Sequence, residues 1–370
     1  MKNCLLVGLY PNEACPVFTI EFAKALKNNG YNIYAVLPDN IINKSNWIEL
    51  LTERNISFIR LNRGKGKISK KINKYFSVLK FLLSYKKILK NILTVEYEFV
   101  FYTFFHRWNE LVKRKVCTEK NILFVHDPVP HSDERKNRKS LQAKQIKKMD
   151  EIVVLSKRFI PICVDQYNLS RDKIYFMPHC LMNYGNHNNT TEYVENEKIN
   201  FLFFGRITKY KGIEVLLKAF AEIEKSFEGA FLNIVGGGDF KQYEKDFSKL
   251  KNVMLINKYI EDNEISSYFL KHNTVCVLPY LDATQSGVIA IAYEYGTAVI
   301  ASDTGGLKEQ LCDGEVGIFC EPNNVESLIK AMQLTIQNFA ELKKQSTKMI
   351  QYSKLLNWDN SVRLLLDELK

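Results

Sequence analysis

Phe201-Leu202-Phe203-Phe204-Gly205-Arg206-Ile207-Thr208-Lys209-Tyr210-Lys211-Gly212 decides the reading of this chain. A short apolar run of strand length ends in Gly205. The loop that follows carries Arg206 and Lys211, and residues 213–225 then have the spacing of a helix. Glycine lets backbone approach a ligand closely, and a helix start favours an anion. Arginine can fork onto phosphate oxygens while lysine adds a point charge. Gly205, Arg206 and Lys211 are therefore candidates for a diphosphate clamp. An ordinary strand-to-helix loop with two surface cations accounts for the same letters about as well.

Three further segments lie downstream. Ile234-Val235-Gly236-Gly237-Gly238-Asp239 puts three glycines at a strand end, which permits a tight turn and close approach at Gly237. Pro279-Tyr280-Leu281-Asp282-Ala283-Thr284-Gln285-Ser286-Gly287 precedes an apolar helix over 287–295. Thr284, Gln285, Ser286 and Gly287 bring hydroxyls, an amide and backbone N–H groups to a helix start, suited to a phosphate or to sugar hydroxyls. A plain N-cap by Ser286 or Thr284 is the alternative. Ala301-Ser302-Asp303-Thr304-Gly305-Gly306-Leu307-Lys308-Glu309 ends a strand in a Gly-Gly turn and leads Glu309 into the next helix.

Apolar strands alternate with helical segments along the whole chain, the signature of βαβ units and of a parallel sheet covered on both faces. Strands are expected at 3–9, 31–37, 99–104, 122–125, 152–155 and 174–177, and again at 200–204, 230–235, 253–256, 275–278 and 298–302. The polar, Asn-rich stretch between them marks a linker. The expected division is a first domain over 1–182, a linker over 183–199 and a second domain over 200–355. A helix near 356–370 is expected to pack back on the first domain. The length of 370 residues fits two domains of about 100–200 residues each.

Composition narrows the class. Hydrophobic residues make up 46%, enough for a core in each half, so a disordered chain is excluded. Eight cysteines form no CxxC pair and no cluster with histidine, which suits free thiols in a reducing cytosol. The opening run Cys4-Leu5-Leu6-Val7 breaks at Gly8, too short for a secretory h-region, and reads as a buried strand. The expected location is cytoplasmic, with peripheral contact at the inner face of a membrane.

The net charge is +11, and the segment from Arg60 to Lys90 carries eleven basic residues and no acidic one. Its partner is expected to be anionic. Apolar residues at helical spacing over 68–93 leave two readings open: docking to an anionic membrane surface, or a core-facing helix with a solvated lysine face. No nucleic acid is expected as a partner, because no recognition module accompanies the charge.

In the first half, Phe124-Val125-His126-Asp127-Pro128 ends a strand. Imidazole at such a point can donate to a sugar hydroxyl or stabilise charge; a strand-end histidine without a task is the alternative. No paired carboxylates suggest an acid/base couple of the glycosidase kind.

Together, the Gly-Arg…Lys-Gly loop, the Gly-rich turn, the loop before the apolar helix and the Gly-Gly-x-x-Glu turn with its Glu321-Pro322-Asn323 tail resemble the family-4 retaining glycosyltransferases of GT-B fold. The resemblance runs from Phe201 to about Ala331. Thr284-Gln285-Ser286-Gly287 and Met177-Pro178-His179 are similar to the bacterial polysaccharide-assembly branch. The resemblance implies two Rossmann-like, doubly wound α/β domains facing a central cleft. It implies a metal-independent hexosyltransferase that needs no cofactor, the nucleotide-sugar being a substrate, and a glycan or lipid-linked acceptor. His126 and Asp127 would be catalytic, with His126 over the donor sugar. Gly205, Arg206, Lys211, Gly237, Thr284, Gln285, Ser286, Gly287 and Glu309 would bind the donor. Asn257 and Lys258 would border the nucleobase, mostly through backbone. The route would be front-face, the leaving diphosphate helping to deprotonate the acceptor.

The sequence departs from that pattern at one place. Many members carry two glutamates eight positions apart, whereas here Ala283, Thr284 and Gln285 lie near the first place and Ile291 and Ala292 near the second. No residue is thereby assigned to the ribose. A GT-B-fold sugar-nucleotide epimerase and a non-catalytic basic protein binding membrane or nucleic acid are the competing classes.

Overall fold

The computed structural model describes residues 2–11, 14–60, 83, 85–129, 136–181, 189–194 and 198–370. Two parallel sheets follow one another along the chain. The first has seven strands, β1 (Asn3–Val7), β2 (Asn32–Pro38), β3 (Ile56–Ile59), β4 (Glu96–Tyr102), β5 (Cys117–Val125), β6 (Glu151–Val154) and β7 (Ile174–Phe176), in the order β3-β2-β1-β4-β5-β6-β7. The second has six, β8 (Ile199–Phe204), β9 (Ala230–Val235), β10 (Val253–Ile256), β11 (Thr274–Leu278), β12 (Ala298–Ser302) and β13 (Ile318–Cys320), in the order β10-β9-β8-β11-β12-β13.

The strand order turns round between β1 and β4 in one sheet and between β8 and β11 in the other. A parallel α/β sheet opens a crevice at such a point, beyond the carboxyl ends of its strands. The 205–212 loop leaves β8 and the 279–287 loop leaves β11, so both rise from the second crevice. Central strands bury nearly every side chain: Phe201, Leu202 and Phe203 of β8 and Val275, Cys276, Val277 and Leu278 of β11 are all inaccessible. That is why these strands read as unbroken apolar runs rather than as alternating ones.

Sequence periodicity misses β3 and β13, the outer strands of their sheets. Four and three residues are too few to show a period. Between β9 and β10 lies a short helical piece, a 3-10 turn Lys241–Tyr243 running into Glu244–Phe247. Phe240 packs on both Tyr243 and Phe247 and ties the segment into one compact turn. The helical segment between β10 and β11 is likewise short, Asp262–Glu264 followed by Ile265–Phe269. It starts at a capping box between Glu261 and Glu264.

Most of the basic segment lies outside the described residues. At its end, Leu89 and Ile92 are buried in the apolar cluster that also holds Leu5, Val7 and Val100 of the first sheet. Lys115 lies over the Tyr85 ring beside them.

Part of the stretch joining the two sheets is pinned beneath the second one. Thr191 donates its hydroxyl to Phe269 O and its N–H to Tyr295 O. The Tyr193 hydroxyl donates to Thr274 O and accepts from Ala298 N. Asn273, fully buried, bonds the backbone of Val194 through both ends of its amide.

The last helix, Trp358–Leu369, lies against the first domain. Trp358, Val362, Leu365, Leu366 and Leu369 repeat at helical spacing and join the apolar cluster of Phe18, Phe22, Phe101 and Phe124. The Trp358 ring meets Phe18 edge-on at 5.2 Å, and its indole N–H donates to Leu181 O. Asn28 and Asn29 hold Asp359. Truncation by Trp358→Ala is expected to cost about 3–5 kcal/mol, read as a lower urea midpoint for the first domain; a midpoint within error of the parent contradicts this anchoring.

Candidate functional site

The site is built where the loops after β8, β9 and β11 meet. Gly205 donates to Val235 O, and Ile207 donates to Gly237 O. Gly236 sits at φ +138°, and a Cβ there would come within 2.1 Å of Gly205 O. The Gly-rich turn is thus glycine because the clamp loop lies against it. On the other side Leu281 donates to Tyr210 O at 2.7 Å, which joins the clamp loop to the 279–287 loop.

This packing seats Lys211 inside the domain. Its residue is 9% exposed, its ammonium passes 2.8 Å from where a Gly205 Cβ would stand, and it lies 5.0 Å from the Tyr280 ring centroid. Burial lowers its pKa from the ordinary lysine value; Tyr210 opposes that fall and Arg206 adds to it. Among the described residues no carboxylate pairs with it. Arg206 is exposed beside it. Two cations side by side, one desolvated, form a seat for a multivalent anion.

The helix Gly287–Tyr295 begins next to this seat, since the Gly205 Cβ position is 3.7 Å from Val288. Ser286 caps it: its Oγ accepts from Val288 N and shares a hydrogen bond with the Tyr280 hydroxyl. The cap and the candidate ligand site are therefore one feature. Gly287 is exposed, and a Cβ there would meet nothing within 4 Å. Thr208 Oγ1 and Gln285 Oε1, in the two loops, are buried with no hydrogen-bond partner. A buried acceptor left unmade costs about 1–3 kcal/mol, which an incoming hydroxyl would relieve.

Across the cleft stand His126 and Asp127, at the end of β5. The Thr284 hydroxyl donates to Asp127 Oδ1, and the Gln285 amide reaches His126 Nδ1 at 3.4 Å. His126 Nε2 lies 2.9 Å from Thr103 O. A carbonyl only accepts, so the ring proton sits on Nε2 and Nδ1 presents a lone pair to Gln285. The ring stacks on Phe104 at 4.1 Å and meets Phe18 edge-on. Desolvation lowers its pKa to about 4, against the pull of Asp127 and the Thr103 carbonyl. The Nε2–H is thus committed to backbone, and the ring is neutral near pH 7.

Glu309 reaches across to the first domain. Its carboxylate accepts from Ser156 Oγ at 2.5 Å, Lys157 N at 2.9 Å and Arg158 N at 3.3 Å, all in the first domain. Three donors already occupy its oxygens. Asn257 and Lys258 lie at the end of β10 with their side chains engaged: the Asn257 amide bonds both N and O of Gly238, and Lys258 pairs with Glu264 at 2.6 Å. What they offer a ligand is backbone.

Sequence reasoning missed Thr208, Tyr210 and Gln310. Thr208 and Tyr210 lie inside the quoted clamp loop and were legible as polar neighbours of its cations. Gln310 carries no signal, because its grip on Ser286 is made only in the folded chain. Among the described residues no group of three His, Cys, Asp or Glu side chains converges as a metal site. An open cavity of about 720 Å³, lined by Lys198, Asn233, Lys251, Lys271 and His272, lies at the starts of the second sheet's strands. It is at the opposite end of the sheet from these loops, which is why the site is assigned by loop geometry.

Known proteins share both the architecture and the second-domain sequence. The whole chain superimposes on a sucrose-phosphate synthase from Thermosynechococcus elongatus, with TM-score 0.73 and 16% identity over 100% of this chain and 98% of that one. It superimposes equally on Anabaena Alr3699/HepE in complex with UDP-glucose, with TM-score 0.70 and 11% identity over 99% and 100% of the two chains. The fold is GT-B, two Rossmann-like domains. Residues 188–355 match the family model described as glycosyl transferases group 1. An uncharacterized glycosyltransferase of Haemophilus influenzae is 28% identical over 48% of this chain and 49% of its own. A phosphatidyl-myo-inositol mannosyltransferase of Mycolicibacterium smegmatis is 27% identical over 35% and 34%. The matched region spans about half or less of the length of these relatives.

Two measurements test this geometry. His126 is expected to stay neutral by NMR from pH 8 down to about 5. Its pKa falls from 6.5 to about 4 on folding. Its contribution to stability is therefore full above 6.5 and lost as pH drops toward 4. A ring titrating near 6.5 contradicts the commitment to Thr103. Separately, Gly287→Leu is expected to change stability by no more than about 0.5 kcal/mol while abolishing calorimetric binding of pyrophosphate. Undiminished binding removes Gly287 from the site.

Proposed function

We propose that the chain is a retaining glycosyltransferase of the family-4 type. It moves a sugar from a nucleotide-sugar donor to a glycan or lipid-linked acceptor in cell-surface polysaccharide assembly. The observation that carries the reading is Lys211: a buried ammonium that no carboxylate pairs with among the described residues, beside Arg206, facing a helix start left open at Gly287. A diphosphate ester supplies the charge and size that this seat lacks. The group 1 match over the same residues and the UDP-glucose named for the Anabaena structure support a nucleotide-sugar as the donor class.

In the reaction the bond from the sugar's anomeric carbon to the diphosphate oxygen breaks, and a bond from that carbon to the acceptor oxygen forms on the same face. The acceptor's proton passes to a leaving diphosphate oxygen. Lys211, Arg206 and the N–H groups at 286–288 stabilise the charge that develops there, the work a divalent cation does elsewhere. Thr284 and Gln285 hold the sugar against Asp127 and His126, so catalysis is chiefly positioning. His126 serves as a neutral acceptor and a packing wall. Gln285 Oε1 and Thr208 Oγ1 take hydroxyls of the donor.

A cytoplasmic location and docking of the segment from Arg60 to Lys90 on anionic lipid would bring the cleft to a lipid-linked acceptor. Among the described residues no helix is long and apolar enough to cross a membrane.

A thermal-shift screen of nucleotide-sugars tests the reading. The matching donor at 100 times its dissociation constant is expected to add about 2.7 kcal/mol of stability. Lys211→Ala and Arg206→Ala are each expected to lose that gain and to lower turnover. Turnover unchanged in Lys211→Ala refutes the clamp.

A further inference from the structure

The segment after the Gly-Gly turn touches both halves of the cleft through neighbouring residues. Glu309 holds the first domain at Ser156, Lys157 and Arg158. Arg158 reaches back to Gly305 O at 3.3 Å and to Asp313 at 3.4 Å. The adjacent Gln310 holds the second domain's loop by both ends of its amide: Oε1 accepts from Ser286 N at 2.7 Å and Nε2 donates to Ser286 O at 3.2 Å. Gly306 N adds a bond to Thr284 O at 2.9 Å. The two grips stand on one short helix, Leu307–Gln310, which fully buried Leu307 fixes to the core.

The turn before it is closed on both sides. At Gly305, φ +53°, a Cβ would stand 1.5 Å from Ala283 O; at Gly306 it would stand 2.5 Å from Thr284 O and 3.1 Å from Ser156 Oγ. Neither the loop nor the first domain can shift toward the turn without displacing it.

We propose that Leu307–Gln310 is a yoke, with Glu309 and Gln310 as positioning residues that make the geometry of the 284–287 loop depend on closure of the two domains. When the first domain is seated on Glu309, the helix sets Gln310, and Gln310 sets the Ser286 peptide at the helix start. When the first domain leaves, the loop loses its register. Substrate closure and donor-loop order are then a single event, which keeps an open cleft from presenting a finished anion seat. The proposal rests on the reading of 284–287 as the donor loop.

Two readouts on Glu309→Ala, Glu309→Gln and Gln310→Ala test it in the full chain. Amide hydrogen exchange needs no ligand. The yoke predicts faster exchange across 284–288 in Glu309→Ala and Glu309→Gln, although Glu309 does not touch that loop. Protection equal to the parent in a Glu309→Gln protein of parental melting temperature overturns the proposal. Calorimetry with pyrophosphate is the second readout. Each variant is expected to bind about tenfold more weakly, the worth of one or two hydrogen bonds. The Glu309→Ala/Gln310→Ala pair is expected to be no worse than the weaker single variant. Additive losses show two independent grips and sink the yoke. Absence of pyrophosphate binding in the parent protein counts against the donor-site reading, and the exchange result then judges the yoke alone.

Discussion

A lysine ammonium that is buried, and that no carboxylate meets among the described residues, is the constraint on which the site depends. Desolvating an ion costs roughly several kcal/mol, and beside Lys211 stand the Tyr210 phenol and the face of Tyr280. The surrounding loops bear the consequences. Gly205 leaves room for the ammonium, Gly236 leaves room for Gly205, and the 279–287 loop closes over the clamp through Tyr210. Ile213–Ser226 and Gly287–Tyr295 bring two helix starts to the same crevice. The central strands beneath, with Phe201, Leu202 and Phe203 and with Val275, Cys276, Val277 and Leu278 inaccessible, give these loops an apolar base.

The first domain contributes shape and neutrality. His126 is held uncharged by its aromatic surroundings and is oriented by Thr103, so it adds no positive charge to compete with Lys211. Asp127 meets Thr284, so a carboxylate from one domain touches a loop that has none of its own at 283–287. Glu309 accepts instead from the Ser156 hydroxyl and from the first domain's backbone at Lys157 and Arg158.

The charge distribution fits the same division of labour. The anion seat belongs to the second domain, while the strongly basic stretch belongs to the first. Its described end buries Leu89 and Ile92 under the first sheet, so that end is a core-facing element with basic residues on its outer side. An acceptor carried on an anionic surface would approach the cleft from that half.

Order along the chain determined a great deal by itself. Unbroken apolar runs separated by helical stripes specify parallel strands covered on both faces, because only such strands have no solvent side to mark. Glycines after β8 and β9, with Arg206 and Lys211 between them, fit a close-approach loop and an ordinary strand-to-helix loop alike, because the letters do not say how near the backbones come. The short outer strands β3 and β13 escaped, being too brief to show a period. What tertiary structure alone decided is which polar groups remain available. Glu309, on the short helix after β12, and Asn257, directly after β10, look alike in sequence to ligand contacts, yet folding engages both. Gln310 has no pattern at all and becomes the support of Ser286. The physical reason is that a hydrogen bond depends on where two groups meet in space, and residues 150 positions apart meet only after both sheets have formed.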